Sequence, residues 1–280
     1  MYLLIPAAGV GQRMQSEWQR QGKAHRNKLF LPLLNRPILY WTLLAVKQAQ
    51  TIHWIGIIGQ PQDFQDFKEI VVELGLSKMV HFVPGGATRQ ESVYRGLEAL
   101  PVLAERVLIH DGARCLATPM LFDRCTEAVI SSPGFVAAVP VKDTIKVVKP
   151  ESDIIQHTPD RQHLWAAQTP QGFAVEPLLK CHRAALRHGI AVTDDAALFE
   201  QFELPVRVVM GEETNLKVTT PVDLRSPSLF CRSDRWMSSQ LSVKLARYCA
   251  SNLALPKKQH ITKQGLTTPL CNVLHQKNFG

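Results

Sequence analysis

The feature that most constrains this chain is a repeated order of segments. A short apolar run leads into a loop rich in glycine or charge, and an amphipathic stretch of helical period follows. Tyr2–Ile5, Trp54–Ile58, Val80–Val83, Arg106–His110 and Phe135–Val139 read as buried strands. Between them, Leu39, Leu43, Val46 and Ala49 share one helical face, as do Phe64, Phe67, Ile70, Val71 and Leu74 within 62–74. A helix from Gln90 to Leu100 turns Val93, Leu97 and Leu100 inward, and another follows near 119–131. Strict alternation of strand and helix predicts an α/β layer built on a mostly parallel sheet with helices on both faces. Ligands of such sheets bind beyond the carboxyl ends of the strands. Three unusual segments fall at that edge: Pro6-Ala7-Ala8-Gly9 with Gly11 and Arg13, Gly85-Gly86-Ala87-Thr88-Arg89, and Asp111-Gly112-Ala113-Arg114.

The first of these segments ends a strand with small residues and glycines, which let backbone approach a ligand closely. Free N–H groups there cradle phosphate and Arg13 adds a fixed charge, so the segment reads as a triphosphate loop, with an ordinary turn as the alternative. A dinucleotide fingerprint of the Rossmann oxidoreductases fits worse, because Met14 stands where the third glycine belongs. The polar, basic stretch 15–28 reads as a mobile loop of the kind that covers phosphates.

Residues 141–173 break the alternation. Val141–Val148 alternates like an exposed strand, Pro150–Asp153 turns, and Ile154–Thr158 returns. This predicts a projecting β-arm over about 141–165. Two strands alone are weakly stable, so the arm is expected to pack on a second subunit as a homodimer. A helix near 176–188, a helix start at Thr193-Asp194-Asp195-Ala196 and a strand Val206–Met210 resume the pattern.

Composition sharpens the picture only at the margins. No apolar run approaches the roughly 20 residues of a membrane helix, and the segment after Met1 is too short for a signal peptide, so a cytoplasmic protein is expected. Six cysteines without a C-x-x-C pair give no zinc or redox motif. The net charge of +8 is confined to the end of the chain. Residues 1–224 carry 23 basic and 23 acidic groups, whereas 225–280 carry nine basic groups against Asp234 alone. The basic balance therefore says nothing about the ligand of the main domain. Residues 1–224 read as the main domain. The tail 225–280 follows a break at Pro227, and its basic groups could bind nucleic acid through phosphates.

Taken in order, these segments resemble the 2-C-methyl-D-erythritol 4-phosphate cytidylyltransferases. The matching stretches are Pro6-Ala7-Ala8-Gly9 with Gly11, Arg13 and Met14, then Asn27-Lys28, then Gly85-Gly86-x-x-Arg89 with Ser92-Val93 and His110-Asp111-x-Ala113-Arg114. They continue through Asp143-Thr144, Asp160-Arg161, Gln168-Thr169-Pro170-Gln171, Thr193-Asp194-Asp195 and Asn215-x-Lys217-Val218-Thr219. The resemblance covers residues 3–224 and implies a Rossmann-like fold with a dimerising arm, with 1–224 as the catalytic domain. It also implies a closing helix that Pro227 cuts across, so the tail 225–280 reads as a frameshifted or read-through terminus in preference to a nucleic-acid-binding arm. It implies transfer of CMP from CTP to the phosphate of a methylerythritol, with release of pyrophosphate and one Mg²⁺ on the triphosphate. The nearest alternative is a cytidylyltransferase for ribitol 5-phosphate.

The resemblance also assigns roles. Arg13, Lys28 and Lys217 would be catalytic cations. Pro6, Ala7, Ala8, Gly9, Gly11, Gly86, Ala87, Arg89, Ser92, Asp111 and Gly112 would bind the nucleotide, with Asp111 a candidate metal contact. Arg114, Thr144, Arg161 and Thr169 would bind the acceptor, Thr144 and Arg161 from the arm of a neighbouring subunit. Asp194 and Asp195 would be a helix cap and structural contacts. Gln12 in place of a basic residue, the long loop 15–27, Ala87 in place of an acid, and Gly112 and Cys115 depart from the family pattern.

Overall fold

The computed structural model describes residues 1–9, 27–220 and 222–225. The expectations for Gly11, Arg13, the loop to residue 26 and the tail beyond 225 lie outside the described residues. The strands are β1 (Tyr2–Pro6), β2 (Pro32–Leu33), β3 (Arg36–Pro37), β4 (Trp54–Gly59), β5 (Val80–Pro84), β6 (Arg106–Ile109), β7 (Gly134–Pro140), β8 (Val147–Val148), β9 (Ile155–His157), β10 (Trp165–Ala174) and β11 (Arg207–Met210). The helices are α1 (Ile38–Gln48), α2 (Phe64–Glu73), α3 (Arg89–Glu98), α4 (Pro119–Ser131), α5 (Val175–His188) and α6 (Asp195–Gln201). Seven strands form one sheet in the order β11-β7-β10-β6-β1-β4-β5. Every pairing is parallel except the two that β10 makes with β6 and β7.

Alternation along the strands divides the core into two layers. Leu4, Ile58, Ile109 and Phe173 pack with Val93, Leu97, Leu178 and Phe199 of α3, α5 and α6. The side chains of opposite phase, including Leu3, Ile5, Ile55 and Ile57, are also fully buried, and α1 packs against α2 and α4. Buried phenylalanines such as Phe122, Phe135, Phe173 and Phe199 each contribute about 2–3 kcal/mol by leaving water. At Gly96 a Cβ would stand 2.4 Å from Ile58 Cδ1, so glycine lets α3 approach the sheet.

Local signals set the helix starts. Thr88 caps α3 by accepting from Glu91 N, Thr118 caps α4 by accepting from Leu121 N, and Asp194 caps α6 by accepting from Ala197 N. Pro119 at the first turn of α4 reinforces that start. Gly189 closes α5 in the left-handed region at φ 63.

One expectation needs correction, and one strand was not foreseen. The arm was expected to hold a strand over Val141–Val148, but only Val147–Val148 pairs with Ile155–His157. Both faces of this ribbon are solvent exposed, so no burial extends it. The stretch between the arm and residue 173 carried no expected strand, and Trp165–Ala174 proves to be an interior strand of the sheet. Its polar side chains Gln168, Thr169 and Gln171 are buried and hydrogen-bonded, which hides the strand from a hydrophobic pattern.

Candidate active site

A cavity opens at the carboxyl ends of β1, β4, β5 and β6, where the three unusual segments meet. Pro6, Ala7, Ala8 and Gly9 form one wall, and Gly86, Ala87, Arg89 and Ser92 form another. Lys28, Asp111, Gly112 and Lys217 complete it. Gly11 and Arg13 belong to the undescribed stretch. Four expected residues are absent from this wall. Arg114 and Thr169 lie beside or beneath it, while Thr144 and Arg161 sit on the exposed arm, with Arg161 donating to Lys142 O at 3.0 Å.

The first wall is held from outside its own sequence. Asn27 is buried, and its amide donates to Ala7 O at 2.7 Å and to Asp63 Oδ2 at 2.8 Å. Its Oδ1 accepts from Leu29 N at 3.1 Å, which starts the short 3₁₀ turn carrying Lys28. Gln60, after β4, donates to Ala8 O at 3.4 Å. At Gly85 a Cβ would stand 2.3 Å from Ala8 Cβ, so glycine permits the two walls to touch.

The second wall is a turn folded onto the start of α3. Gly85 N donates to Gly59 O, Gly86 N to Ser92 Oγ, and Ala87 N to a Glu91 carboxylate oxygen, at 2.8, 3.0 and 2.8 Å. Ser92 Oγ in turn donates to Thr88 O at 2.8 Å. Ser92 was expected to read a base; in the structure its hydroxyl organises the turn.

The cations converge on Asp111. Its carboxylate lies 2.8 Å from Lys217 Nζ, 3.6 Å from Arg89 Nε and 3.8 Å from Arg114 Nε. Burial pushes the Asp111 carboxyl up, but Lys217, Arg89 and Arg114 outweigh it and hold the group well below the usual carboxylate range. Arg89 is also paired with the buried Asp195 at 2.8 Å. Burial alone would lower its pKa, and Asp195 and Asp111 together raise it instead. Asp195 therefore does more than start a helix. It reaches a cavity residue 106 positions away, a partnership that local sequence does not announce.

Beneath the wall, proton bookkeeping fixes a chain of three bonds. Arg114 O can only accept, so His110 Nε2 donates to it at 3.3 Å. His110 Nδ1 must then accept from Thr169 Oγ1 at 3.1 Å, and that oxygen accepts from Asp111 N at 3.0 Å. Burial pulls the His110 pKa down to about 4, so the neutral ring required by this chain is the stable form at neutral pH. Asn215, also fully buried, donates its side-chain amide to Gln168 Oε1 and Thr169 O, while its main-chain carbonyl accepts from Arg114 Nη1. Two residues on, Lys217 reaches Asp111. Lys28 Nζ donates to Val218 O at 3.0 Å, which brings the two lysines to one place.

The wall holds one carboxylate among the described residues, and no group of three metal-ligating side chains occurs among them. The arrangement offers cations, backbone amides and a single acid, which suits a reaction whose nucleophile and leaving group both belong to phosphates.

Comparison with known proteins agrees with this geometry. The family model for 2-C-methyl-D-erythritol 4-phosphate cytidylyltransferase matches residues 1–233. The protein of that name from Nostoc punctiforme is 62% identical over 224 residues, covering 80% of this chain and 95% of its own length. The one from Synechococcus elongatus is 58% identical over 239 residues, covering 85% and 99%. Among solved structures, a 4-diphosphocytidyl-2C-methyl-D-erythritol synthase from Anaerococcus prevotii superposes with a TM-score of 0.71 at 30% identity, over 82% of this chain and 95% of that one. The Thermus thermophilus cytidylyltransferase gives 0.63 at 32% identity, over 82% and 98%.

Proposed function

The chain belongs to the 2-C-methyl-D-erythritol 4-phosphate cytidylyltransferase family, and we propose that it transfers CMP from CTP to 2-C-methyl-D-erythritol 4-phosphate, releasing pyrophosphate, in isoprenoid precursor synthesis. The observation that carries this reading is the convergence of Lys28, Arg89 and Lys217 with Asp111 between two glycine-containing walls. Two anions must meet for the acceptor phosphate to attack the α-phosphorus, and fixed cations offset their repulsion.

In this reading the backbone of Ala7–Gly9 embraces the triphosphate, with Gly11 and Arg13 continuing the loop. Gly86, Ala87 and Ser92 read the base. Lys28 stabilises charge at the α-phosphate, and Lys217 bridges acceptor and α-phosphate. Arg114 and Thr169 act from below by fixing Asn215, Asp111 and the segment that carries Lys217. Asp111 is the wall carboxylate that would touch a Mg²⁺ carried by the phosphates, and one protein carboxylate is enough when the nucleotide supplies the other oxygens. Such an ion neutralises charge on the triphosphate.

We further propose a homodimer in which Thr144 and Arg161 serve the partner's acceptor site. Exposed Ile145, Val148, Ile154, Ile155 and Trp165 on and beside the arm support this assembly. A cytoplasmic setting is supported by the unpaired Cys115, Cys125 and Cys181. No helix among the described residues is long and apolar enough to cross a membrane. Residues 1–224 are read as the catalytic domain, since every cavity residue falls within them.

Pyrophosphate release from CTP with Mg²⁺ and either 2-C-methyl-D-erythritol 4-phosphate or ribitol 5-phosphate tests the activity. Faster turnover with the methylerythritol is expected. A preference for ribitol 5-phosphate would move the chain to the other acceptor, and release with neither would refute the reading.

A further inference from the structure

The turn Gly85–Ala87 has an unusual hydrogen-bond inventory. All three of its amides are spent inside the protein, on Gly59 O, Ser92 Oγ and Glu91. Gly85 O is spent too, accepting from Arg95 Nη1 at 2.8 Å. Among the described residues, the carbonyls of Gly86 and Ala87 accept no hydrogen bond. Both residues line the cavity. The turn therefore offers a ligand backbone acceptors while its own donors are occupied.

Two side chains maintain this inventory. Glu91 and Arg95, one helical turn apart on α3, form a salt bridge. The other oxygen of Glu91 takes the Ala87 amide, and Arg95 takes Gly85 O. The pair thus grips the turn at both ends, around the position where Ala87 itself supplies no polar side chain. The Ala87 amide, with Arg95 next to the same carboxylate, holds the Glu91 carboxyl below its ordinary value. The grip is therefore present at neutral pH.

We propose that Glu91 and Arg95 are positioning residues that set the choice of pyrimidine, by keeping the turn an acceptor-only surface that favours a base with an exocyclic amine. This rests on the reading of the cavity as a CTP site. Cytosine presents an amino donor at the ring position where uracil presents a carbonyl acceptor. A carbonyl facing the Gly86 and Ala87 carbonyls finds no donor and is rejected. Removing Glu91 frees the Ala87 amide, and the turn gains a donor that uracil can use.

The test compares kcat/KM for CTP and UTP in the wild type, Glu91→Ala and Arg95→Met, with thermal unfolding measured alongside. Glu91→Ala is expected to reduce the CTP-over-UTP ratio about tenfold, as an added or lost hydrogen-bond partner on a base edge does. Arg95→Met should shift the ratio in the same direction by a smaller factor. A merely structural role would lower both substrates together and leave the ratio in place. If the ratio in both variants stays within about twofold of wild type, the proposal is overturned. Should Glu91→Ala not fold, the ratio for Arg95→Met alone decides. A wild type that releases no pyrophosphate from CTP would refute the reading of the site instead.

Discussion

Replacing Thr169 by valine isolates the bond chain beneath the cavity. The side chain is 4% exposed, and its hydroxyl donates to His110 Nδ1 while accepting from Asp111 N. Valine keeps the branched shape and removes both bonds, leaving two buried polar groups without a partner. Each unsatisfied group costs about 1–3 kcal/mol, so roughly 2–6 kcal/mol of stability should be lost. For a domain of this size, at about 3 °C per kcal/mol, that corresponds to a melting temperature lowered by roughly 6–18 °C. Thr169→Ser keeps the hydroxyl and should cost about 1 kcal/mol, the value of the lost methyl. Scanning fluorimetry or circular dichroism reads the shift, and CTP turnover of the folded fraction reads the site. Turnover of Thr169→Val should fall because the Asp111 amide is no longer tied down, while Thr169→Ser should stay near wild type. If Thr169→Val melts within about 2 °C of wild type with unchanged kinetics, the hydroxyl is not the link described.

Three further outcomes are expected. Lys28→Ala and Lys217→Ala should each lower kcat about 10²–10³-fold, as loss of a transition-state charge does, with only a small change in melting temperature; near wild-type turnover in both would sink the phosphoryl-transfer assignment. Gly85→Ala places a Cβ 2.3 Å from Ala8 Cβ, so the walls must part, and KM for CTP should rise by about tenfold or more in steady-state assays. His110 has a folded pKa near 4 against an ordinary 6.5, so the folded state binds fewer protons than the unfolded chain between those values. Its stabilising effect is complete above about pH 6.5 and is lost as pH falls toward 4, a total of about 3 kcal/mol; urea midpoints across that range measure it, and an imidazole titrating near 6.5 by NMR would contradict it.

The parallel strands were legible because each is an apolar run with a helix behind it; β4 is buried along its whole length and β1 at Leu3, Leu4 and Ile5. The site loops were legible because an edge rule locates them once the strands are known. Strand β10 was not, since Trp165-Ala-Ala-Gln-Thr-Pro-Gln-Gly-Phe-Ala174 mixes proline, glycine and glutamine. Its burial depends on partners such as Glu212, Asn215 and Asp194, 23 to 47 residues away in sequence. Asn27 was visible as part of a motif, but its task of clamping Ala7 to Asp63 appears only when distant segments meet. Asp195 was read as part of a helix cap and structural contacts, but which residue its carboxylate contacts, Arg89, could not be read locally. Cleft residues that act through other residues leave no local signature.

The antiparallel setting of β10 has a consequence for how this architecture can vary. Strands β7 and β10 are neighbours running in opposite directions, with Pro140 beside Trp165 in the register. The 24-residue excursion between them therefore leaves and re-enters the sheet at adjacent points, on the same edge as the cavity. Such an insert behaves as an exchangeable cassette. Its length can change at a cost of about 0.6 kcal/mol per doubling, with no shift in the register of the strands that hold Gln168, Thr169 and Gln171. Replacing the excursion alone would leave the cavity walls unaltered, because none of residues 141–164 lines them.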